Sequence, residues 1–372
     1  MDLIGGRKYL VFDMDALSRL HDVSGGFYLS SFSALDRYFS SEMSKNVYVT
    51  VKGSVVDLAR VYDNLEYPGL DHVDAALEHG DRRYYFRCVD DLPPRNTFPV
   101  MDLLYDPHRD TYWDPFSVYH DLRREELECP VGDEPLVVGD AAVLVSRYSY
   151  AVPAKLPAMR TGTRIPVEIQ RRVFIDLLTG VAPDKGLTVL KETGFLAEYW
   201  PLLAEMDGTE HSKEGHPEGN VWKHTLETLQ HRKTRDLLLA TVLLLHDCGK
   251  PFATATRENL FDKHAEIGAE RAGKFLFRLG FTDEFVRDAR WLIRHHMIPG
   301  ALHRLPTYRT APLMASVLFP FLLEFYRCDL LSTYRGPENY YRACKIYRRF
   351  VKNSANPYRD AEGKKIFRLY VE

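Results

Sequence analysis

The 372-residue sequence is poor in cysteine, has almost no net charge and contains no long apolar run. Its cysteines are scattered along the chain, and no two of them form a Cys-x-x-Cys pair. This spacing argues against a disulfide scaffold and favours reduced thiols in a cytoplasmic protein. The five cysteines are Cys88, Cys129, Cys248, Cys328 and Cys344.

The formal net charge is only −3, which gives the chain no overall attraction to nucleic acid or to membrane surfaces. No uncharged stretch of about 18 apolar residues occurs, so we predict no membrane span. The segment from Met1 to Lys8 also lacks the apolar core of a signal peptide. We therefore expect a cytoplasmic protein without a membrane partner.

The patterning of the chain predicts a multi-domain protein, as its length suggests. Residues 1–125 alternate strand-like and helical segments, which is typical of an α/β domain. Residues 126–205 form a helical connector broken by prolines and glycines. Residues 206–372 have helical apolar spacing with short breaks, which predicts an all-α bundle of about five to seven helices followed by a basic extension.

Four segments of the first part are predicted to be strands because they are rich in β-branched and aromatic residues. After the second of them, Gly53-Ser54 begins a helical pattern over residues 55–60. A strand, a tight turn and a helix can present backbone N–H groups to a phosphate, which makes this turn a candidate phosphate-binding turn. The predicted strands are Tyr9–Phe12, Val47–Val51, Arg83–Val89 and Phe98–Asp106.

The C-terminal extension, from Ser332 onward, contains ten Lys and Arg residues against four Asp and Glu, with tyrosines interleaved. Such a segment could follow an RNA backbone. A solvated helix face accounts for the same pattern, and the sequence leaves both interpretations open.

The most distinctive stretch is the apolar run Leu243–Leu245 followed directly by His246 and Asp247. Pro251 ends the helix soon afterwards. A buried imidazole beside a buried carboxylate costs free energy unless a partner is present, and a divalent metal ion binds both groups. Further His and Asp residues lie in helical segments on either side, and unrelated polar residues on core helices are the alternative. They are His224, His264, His295, His296 and Asp329.

The order His, His-Asp, His, His, Asp resembles the HD superfamily of metal-dependent phosphohydrolases. The resemblance implies that His224, His246, Asp247 and Asp329 hold one metal ion. It also implies that two later histidines hold a second ion, with the aspartate of the doublet as the bridge. These histidines are His264 and, because the family places its histidine before a methionine, His296 rather than His295.

On this interpretation, one or two divalent ions (Mn, Fe, Co, Ni or Mg) serve as cofactors. Asp247 would hold the water that the metal activates. Lys250 follows the doublet by three residues and could contact a phosphate or act catalytically, although a helix-terminal charge is the alternative. Arg294 and His216 are further candidates for substrate binding, and His216 could instead hydrogen-bond its own loop.

The first part of the chain resembles the head of the tRNA nucleotidyltransferase and poly(A) polymerase family. Lys52–Leu58 takes the place of that family's Gly-Gly-x-Val-Arg-Asp motif, and 91–107 that of Arg-Arg-Asp-Phe-Thr-Ile-Asn-Ala-Leu-Ala-Tyr-Asp. Three motifs depart from the family. The metal-binding Asp-x-Asp falls at 71–74 with altered spacing, the Asp of Arg-Arg-Asp becomes Thr97, and the arginines that read the nucleotide are missing from 139–146.

These departures predict a degenerate nucleotidyltransferase-like head without transferase activity. The sequence therefore predicts a metal-dependent phosphohydrolase that acts on a nucleotide or on an RNA-end phosphoester, with tRNA or RNA as a possible partner. One alternative is an active tRNA nucleotidyltransferase or poly(A) polymerase. A second is a non-catalytic regulator that binds RNA or nucleotide.

Overall fold

The computed structural model describes residues 15–22, 25–124, 127, 134–152, 155–210, 219–254 and 261–353. The chain divides into two compact units, 1–181 and 182–372. The predicted strand Tyr9–Phe12, the candidate residue His216 and the last part of the basic extension lie outside the described residues. Among the described helices, none is long and apolar enough to cross a membrane.

The first unit is built on a six-stranded mixed sheet. Its strand order is β3-β4-β2-β1-β5-β6, in which β2 and β4 are parallel and the other neighbouring pairs antiparallel. The strands predicted at 47–51 and 83–89 are confirmed. The six strands are β1 Phe27–Leu29, β2 Asn46–Lys52, β3 Ala75–His79, β4 Arg82–Val89, β5 Leu104–Asp106 and β6 Thr111–Trp113.

The strand predicted at 98–106 is only partly present, because Pro99–Asp102 forms a 3-10 turn before β5. Proline has no N–H group for a strand ladder, which explains why the chain turns here. A second 3-10 turn spans Arg19–Asp22. The α-helices of this unit are α1 Asp15–Ser18, α2 Ser31–Tyr38, α3 Val55–Val61, α4 Tyr119–Leu122, α5 Glu134–Tyr148 and α6 Val167–Leu178.

The central strand β2 is buried on both faces. Val47, Val49 and Val51 join the apolar cluster on one face. Side chains alternate along a strand, so Asn46 and Tyr48 point to the other face. There both hydrogen-bond the carboxylate of Asp176 on α6.

A buried ion pair joins α2 to α5. Both Arg147 and Asp36 have almost no exposed side-chain surface, and their closest N–O distance is 2.7 Å. Arg147 also donates to the backbone carbonyls of Glu42 and Asp176. These contacts make α5 and α6 part of the α/β unit, so the division at 181 cuts through the connector predicted at 126–205.

The second unit is helical throughout its described residues, as the patterning predicted. α11 is apolar on all sides and almost completely buried, which makes it the centre of this unit. Its N-terminus is capped by Asp236, which accepts from the backbone N–H of Leu239. The helices are α7 Pro183–Glu192, α8 Phe195–Tyr199, α9 Pro201–Ala204, α10 Val221–Gln230, α11 Leu237–Leu245, α12 His264–Arg278, α13 Asp283–His295, α14 Ile298–Ala301, α15 Thr307–Met314, α16 Phe319–Leu331 and α17 Glu338–Asn353, with 3-10 turns at Glu205–Gly208 and Lys250–Phe252.

Candidate metal centre and head cavity

The buried helix α11 carries the His-Asp doublet into the core of the second unit. His246 and Asp247 directly follow its last residue, Leu245, and are 1% and 2% exposed. Burying seven apolar side chains of α11 provides free energy that offsets the cost of holding two polar groups away from water.

Gly249 allows α12 to approach the doublet closely. A Cβ atom at position 249 would lie 2.1 Å from the carbonyl oxygen of His264 and 2.5 Å from the backbone nitrogen of Gly268. Any other residue would therefore push the start of α12 away. The contact between these backbones places the His264 side chain beside Asp247.

One group of potential metal ligands comes from three helical segments. His224 lies on α10, His246 follows α11, and Asp329 lies on α16. The Nε2 atom of His224 is 3.0 Å from Oδ1 of Asp329, and Nε2 of His246 is 3.9 Å from the same oxygen. The three residues can offer ligand atoms that all lie within 4.8 Å of one another.

A second group consists of Asp247, His264 and His296. The Nε2 atom of His264 is 3.7 Å from Oδ1 of Asp247 and 3.2 Å from Nε2 of His296. The other carboxylate oxygen of Asp247, Oδ2, is 3.2 Å from Nε2 of His246. Asp247 therefore contacts both groups, which is the arrangement that a bridging ligand needs.

Hydrogen bonds to the backbone orient three of the imidazoles. Nδ1 of His246, His264 and His296 lies 2.7–2.9 Å from the carbonyl oxygen three residues earlier. Each Nδ1 therefore carries the proton and donates it, which leaves Nε2 as a lone-pair atom directed into the cluster.

The fourth imidazole is oriented by a residue that the sequence analysis missed. Ser332 donates its hydroxyl proton to the carbonyl oxygen of Asp329, and its oxygen lies 3.2 Å from Nδ1 of His224. The hydroxyl oxygen can therefore accept the Nδ1–H proton of His224, which turns Nε2 toward Asp329. The one available signal was the position of Ser332, one helical turn after the candidate ligand Asp329.

The donor atoms fit a cation. Two lone-pair nitrogens, Nε2 of His264 and of His296, face each other at 3.2 Å, and Nε2 of His246 is buried without a hydrogen bond. Four imidazoles and two carboxylates suit Mn, Fe, Co or Ni better than Mg, which prefers oxygen ligands. Proteins with such sites use divalent metal ions as cofactors, and the residues present here match that chemistry.

The protonation states also suit metal binding. Burial alone would raise the pKa of Asp247, but its contacts with His246 and with the ammonium group of Lys250 outweigh it and hold the pKa well below its usual range. Burial alone would also raise the pKa of Asp329, but its contacts with His224 and His246 hold that pKa below its usual range. Burial, together with the nearby His246, lowers the pKa of His296 to about 3. Ionised carboxylates and a neutral imidazole are the forms that coordinate metal.

The remaining candidates occupy different surroundings. Lys250 is buried with Nζ 2.6 Å from Oδ2 of Asp247, so its ammonium group lies on the carboxylate that contacts both ligand groups. His295 turns its Nδ1 to the carbonyl oxygen of Trp291, and the structure brings His296 to the cluster instead. Cys248 is buried against the carbonyl oxygen of Gly268, and burial raises its pKa to about 12.

Arg294, predicted as a substrate contact, lies on a different side of α13 from the ligand histidine His296, and its contact with substrate stays a prediction. It is exposed and lines a groove between α12 and α13 together with Lys274 and Arg290. The physical reason is helical geometry. Arg294 precedes His296 by two residues, which turns its side chain by roughly 200° around the helix axis.

In the first unit, the candidate phosphate-binding turn at Gly53-Ser54 serves mainly to begin α3. Ser54 and Asp57 form a reciprocal capping box. Asp74, near which the Asp-x-Asp motif was sought, accepts from the backbone N–H of Cys88. Both carboxylates are thus engaged in local hydrogen bonds.

A cavity lies at an earlier strand-turn-helix unit, in which β1 leads through Ser30 and Ser31 into α2. Ser31 has a φ of 50°, the left-handed conformation that favours glycine. The sequence analysis missed this turn because serines occupy it. Residues that line the cavity include Ser30, Ser31, Tyr48, Thr97, Asp102 and Asp140.

Two buried carboxylates line this cavity. Asp140 accepts from Thr97 at 2.6 Å and from Arg172 at 2.7 Å. Burial raises its pKa despite the opposing charge of Arg172. Asp102 accepts from the backbone and side chain of Asn96, and burial raises its pKa as well.

A larger cavity of about 560 Å³ shares His72 and Arg172 with the first. Arg160 and Arg164 also line it. Three guanidinium groups around one cavity favour an anionic ligand, because arginine can bind phosphate oxygens in bidentate fashion.

Comparison with known proteins agrees with this architecture. The family model "HD domain" matches residues 220–317. The chain is 33% identical over 205 residues to the CC-adding tRNA nucleotidyltransferase of Thermus thermophilus, which covers 52% of this chain and 44% of that protein. It is 31% identical over 207 residues to the A-adding tRNA nucleotidyltransferase of Deinococcus radiodurans, covering 50% and 47%. The matches thus span about half the length of these relatives.

A solved structure extends the likeness in fold. The CCA-adding enzyme of Bacillus stearothermophilus, solved in complex with CTP, aligns with a TM-score of 0.54 at 16% identity. The alignment covers 91% of this chain and 81% of that enzyme. At this identity the similarity concerns the fold.

These relatives correct the predicted function. They are named for nucleotide addition to tRNA, whereas the sequence analysis put phosphoester hydrolysis at the HD site first. That prediction is wrong, and the nucleotidyltransferase alternative is the better supported one. The chain carries an HD domain at residues 220–317, preceded in the sequence by an α/β unit with the fold found in CCA-adding tRNA nucleotidyltransferases.

Proposed function

We propose that this protein is a tRNA nucleotidyltransferase that adds nucleotides to the 3′ end of tRNA, and that the head cavity is its nucleotide site. The observation that carries the proposal is the cavity at Ser30-Ser31, where two buried carboxylates and Arg172 meet beside a strand-turn-helix unit. The names of the relatives supply the reaction class and the acceptor.

The surroundings of the cavity suit a nucleoside triphosphate. The adjoining cavity of about 560 Å³ is of the size that small ligands occupy. Arg160, Arg164 and Arg172 are placed to bind its phosphates. Thr97 and Asn96 also line the cavity at Ser30-Ser31, and they offer hydrogen-bonding groups that can distinguish one base from another.

Nucleotidyl transfer also needs charge stabilisation at the reacting phosphate. A divalent ion supplies it when bound, by neutralising the phosphate oxygens. In the cavity at Ser30-Ser31, the carboxylates that could hold such an ion are Asp102 and Asp140. Both carboxylates are buried, so water would screen their attraction to a bound cation only weakly.

The HD domain supplies a separate metal centre in this proposal. His224, His246 and Asp329 would hold one divalent ion and His264 and His296 a second, with Asp247 within reach of both groups of ligands. Lys250 neutralises Asp247 and competes with metal for its Oδ2 atom. Ions bound here would act as Lewis acids in the helical unit.

Incorporation of labelled CTP and ATP into tRNA that lacks its terminal CCA tests the proposal. The unaltered protein should extend this tRNA, and Asp140→Asn should lower the rate by about a hundredfold or more, as expected when a preorganised electrostatic group is lost. Asp81→Asn is the matched control, because Asp81 is an exposed carboxylate paired only with Lys45 at 3.2 Å in the same unit. It should leave the rate unchanged.

Absence of incorporation with each of the four nucleotides, while a known CCA-adding enzyme extends the same tRNA, would refute the transferase proposal. Equal losses of incorporation rate in Asp140→Asn and Asp81→Asn would show that the cavity is not the nucleotide site.

A further inference from the structure

The helix α17 has an inner face that is already fully used in packing. Tyr340, Ala343, Cys344 and Tyr347 are buried. The ring of Tyr347 packs 5.0 Å from that of Phe319 on α16. Because this apolar face is covered within the second unit, α17 has only its outer face available for a partner.

The outer face of α17 is cationic. Its exposed residues recur at helical spacing, so they share one side of the helix. The helix contains a single acidic residue, Glu338, which lies in its first turn. The exposed residues that form this cationic face are Tyr341, Arg342, Lys345, Arg348, Arg349 and Lys352.

Four of these cations form no ion pair with another described residue. No carboxylate of the described residues lies within 4.0 Å of the charged nitrogens of Arg342, Lys345, Arg349 or Lys352. Like charges three and four residues apart destabilise a helix. The cationic face therefore costs stability, and a polyanionic partner would relieve that repulsion.

Exposed aromatic rings accompany the charges. Tyr341 is 66% exposed within the cationic face, and Tyr334, shortly before the helix, is 76% exposed. Rings of this kind stack on unpaired bases, while neighbouring cations bind the phosphates. Since the whole chain has a net charge of −3, the cationic face is a local feature and not a consequence of overall composition.

We propose that the outer face of α17 binds the RNA partner through its phosphate backbone, with Tyr341 stacking on an unpaired base. That the RNA is tRNA rests on the proposed function, whereas the cationic face itself does not. An anionic membrane fits less well. The apolar side of α17 is buried, and a helix that binds a lipid interface needs that side free.

The test is tRNA binding by the full chain, measured by fluorescence anisotropy over a range of salt concentrations. The triple variant Arg342→Gln, Lys345→Gln, Arg349→Gln should weaken binding by about ten- to a hundredfold at moderate salt. It should also reduce the slope of log affinity against log salt by about 2, since each lost phosphate contact contributes roughly 0.7–0.9. Tyr341→Ala should weaken binding by about tenfold with the slope unchanged.

A second triple variant is the matched control. Lys274→Gln, Arg278→Gln and Arg287→Gln remove the same charge from exposed positions on α12 and α13. This variant should bind tRNA like the unaltered protein. Far-ultraviolet circular dichroism should show equal helix content in both triple variants, because every substituted side chain is exposed.

Three results would overturn the inference: equal weakening by both triple variants, no weakening by either, and no tRNA binding by the unaltered protein. Charge-dependent binding to phosphatidylserine vesicles without an effect on tRNA would assign the face to a membrane instead. The outcome is separable from that of the proposed function. Nucleotide incorporation by a variant that binds tRNA normally refutes only this inference, and weakened tRNA binding in a protein that never incorporates refutes only the transferase proposal.

Discussion

The HD cluster of the second unit and the first unit, the head, bury polar groups in opposite electrostatic arrangements. The HD cluster consists of His224, His246, Asp247, His264, His296 and Asp329. In the HD cluster, lone-pair atoms face one another, as Nε2 of His264 and Nε2 of His296 do at 3.2 Å. In the head, buried carboxylates are met by protein donors. Asp36 is met by Arg147, and Asp140 by Thr97 and Arg172.

This difference indicates which ligand each region is suited to. A cluster of acceptors without protons between them is stable only with a cation in or near it. A cavity bordered by arginines is suited to an anion with polar edges, such as a nucleotide. Two units of one chain can therefore bind a metal ion and a nucleotide with separate sets of residues.

The largest expected effect would break the satisfied arrangement in the head. Asp36→Ala leaves the guanidinium of Arg147 buried without its carboxylate, and such an unpaired charge costs about 3–5 kcal/mol. Urea denaturation should show this decrease in the free energy of unfolding. Asp81→Ala, at an exposed position in the same unit, should leave that free energy nearly unchanged. A decrease no larger than the control's would mean that water reaches Arg147.

The second-largest expected effect concerns metal binding by the HD cluster, in which lone-pair nitrogens face each other. A divalent ion at a hundred times its dissociation constant should stabilise the folded chain by about 2.7 kcal/mol. His296→Ala should abolish much of this gain, whereas His295→Ala should retain it, because His295 bonds to the backbone of Trp291. Thermal unfolding with and without Mn²⁺ or Co²⁺ measures how much the metal stabilises each variant. Equal responses of the two variants would contradict the choice of His296.

These two regions also differ in how far the sequence predicted them. The six HD candidates could be found because each has a local signal, such as the doublet after the apolar run of α11. Their convergence is then a consequence of packing α10, α12 and α16 around that helix. Arg294 could not be placed from the sequence, because closeness in sequence to His296 says nothing about which side of α13 it occupies.

The head cavity was harder to predict because its turn consists of Ser30 and Ser31, not of glycines. A left-handed φ of 50° at Ser31 cannot be read from a serine. The role of Asp140 was equally hidden. Its partners Thr97 and Arg172 are more than thirty residues away in each direction and meet it only in the folded unit.

The smallest expected effect concerns Lys250, whose ammonium group lies against Asp247 of the HD cluster. Lys250→Ala removes the ammonium group 2.6 Å from Oδ2 of Asp247, so a divalent ion no longer competes for that oxygen. Metal affinity should rise about tenfold, which corresponds to roughly 1.4 kcal/mol. Isothermal titration with Mn²⁺ measures it, and Lys250→Arg, which keeps the charge, should stay close to the unaltered affinity. Weaker binding in Lys250→Ala would mean that Lys250 helps to shape the site.

The central claim is that nucleotide addition takes place in the head and is separate from the HD metal centre. The most direct test compares Asp140→Asn with His296→Ala in the incorporation of labelled CTP and ATP into tRNA that lacks CCA. We expect Asp140→Asn to lower the rate of nucleotide incorporation by about a hundredfold or more, and His296→Ala to keep most of that rate. Loss in His296→Ala with retention in Asp140→Asn would contradict the account and move the chemistry to the helical unit.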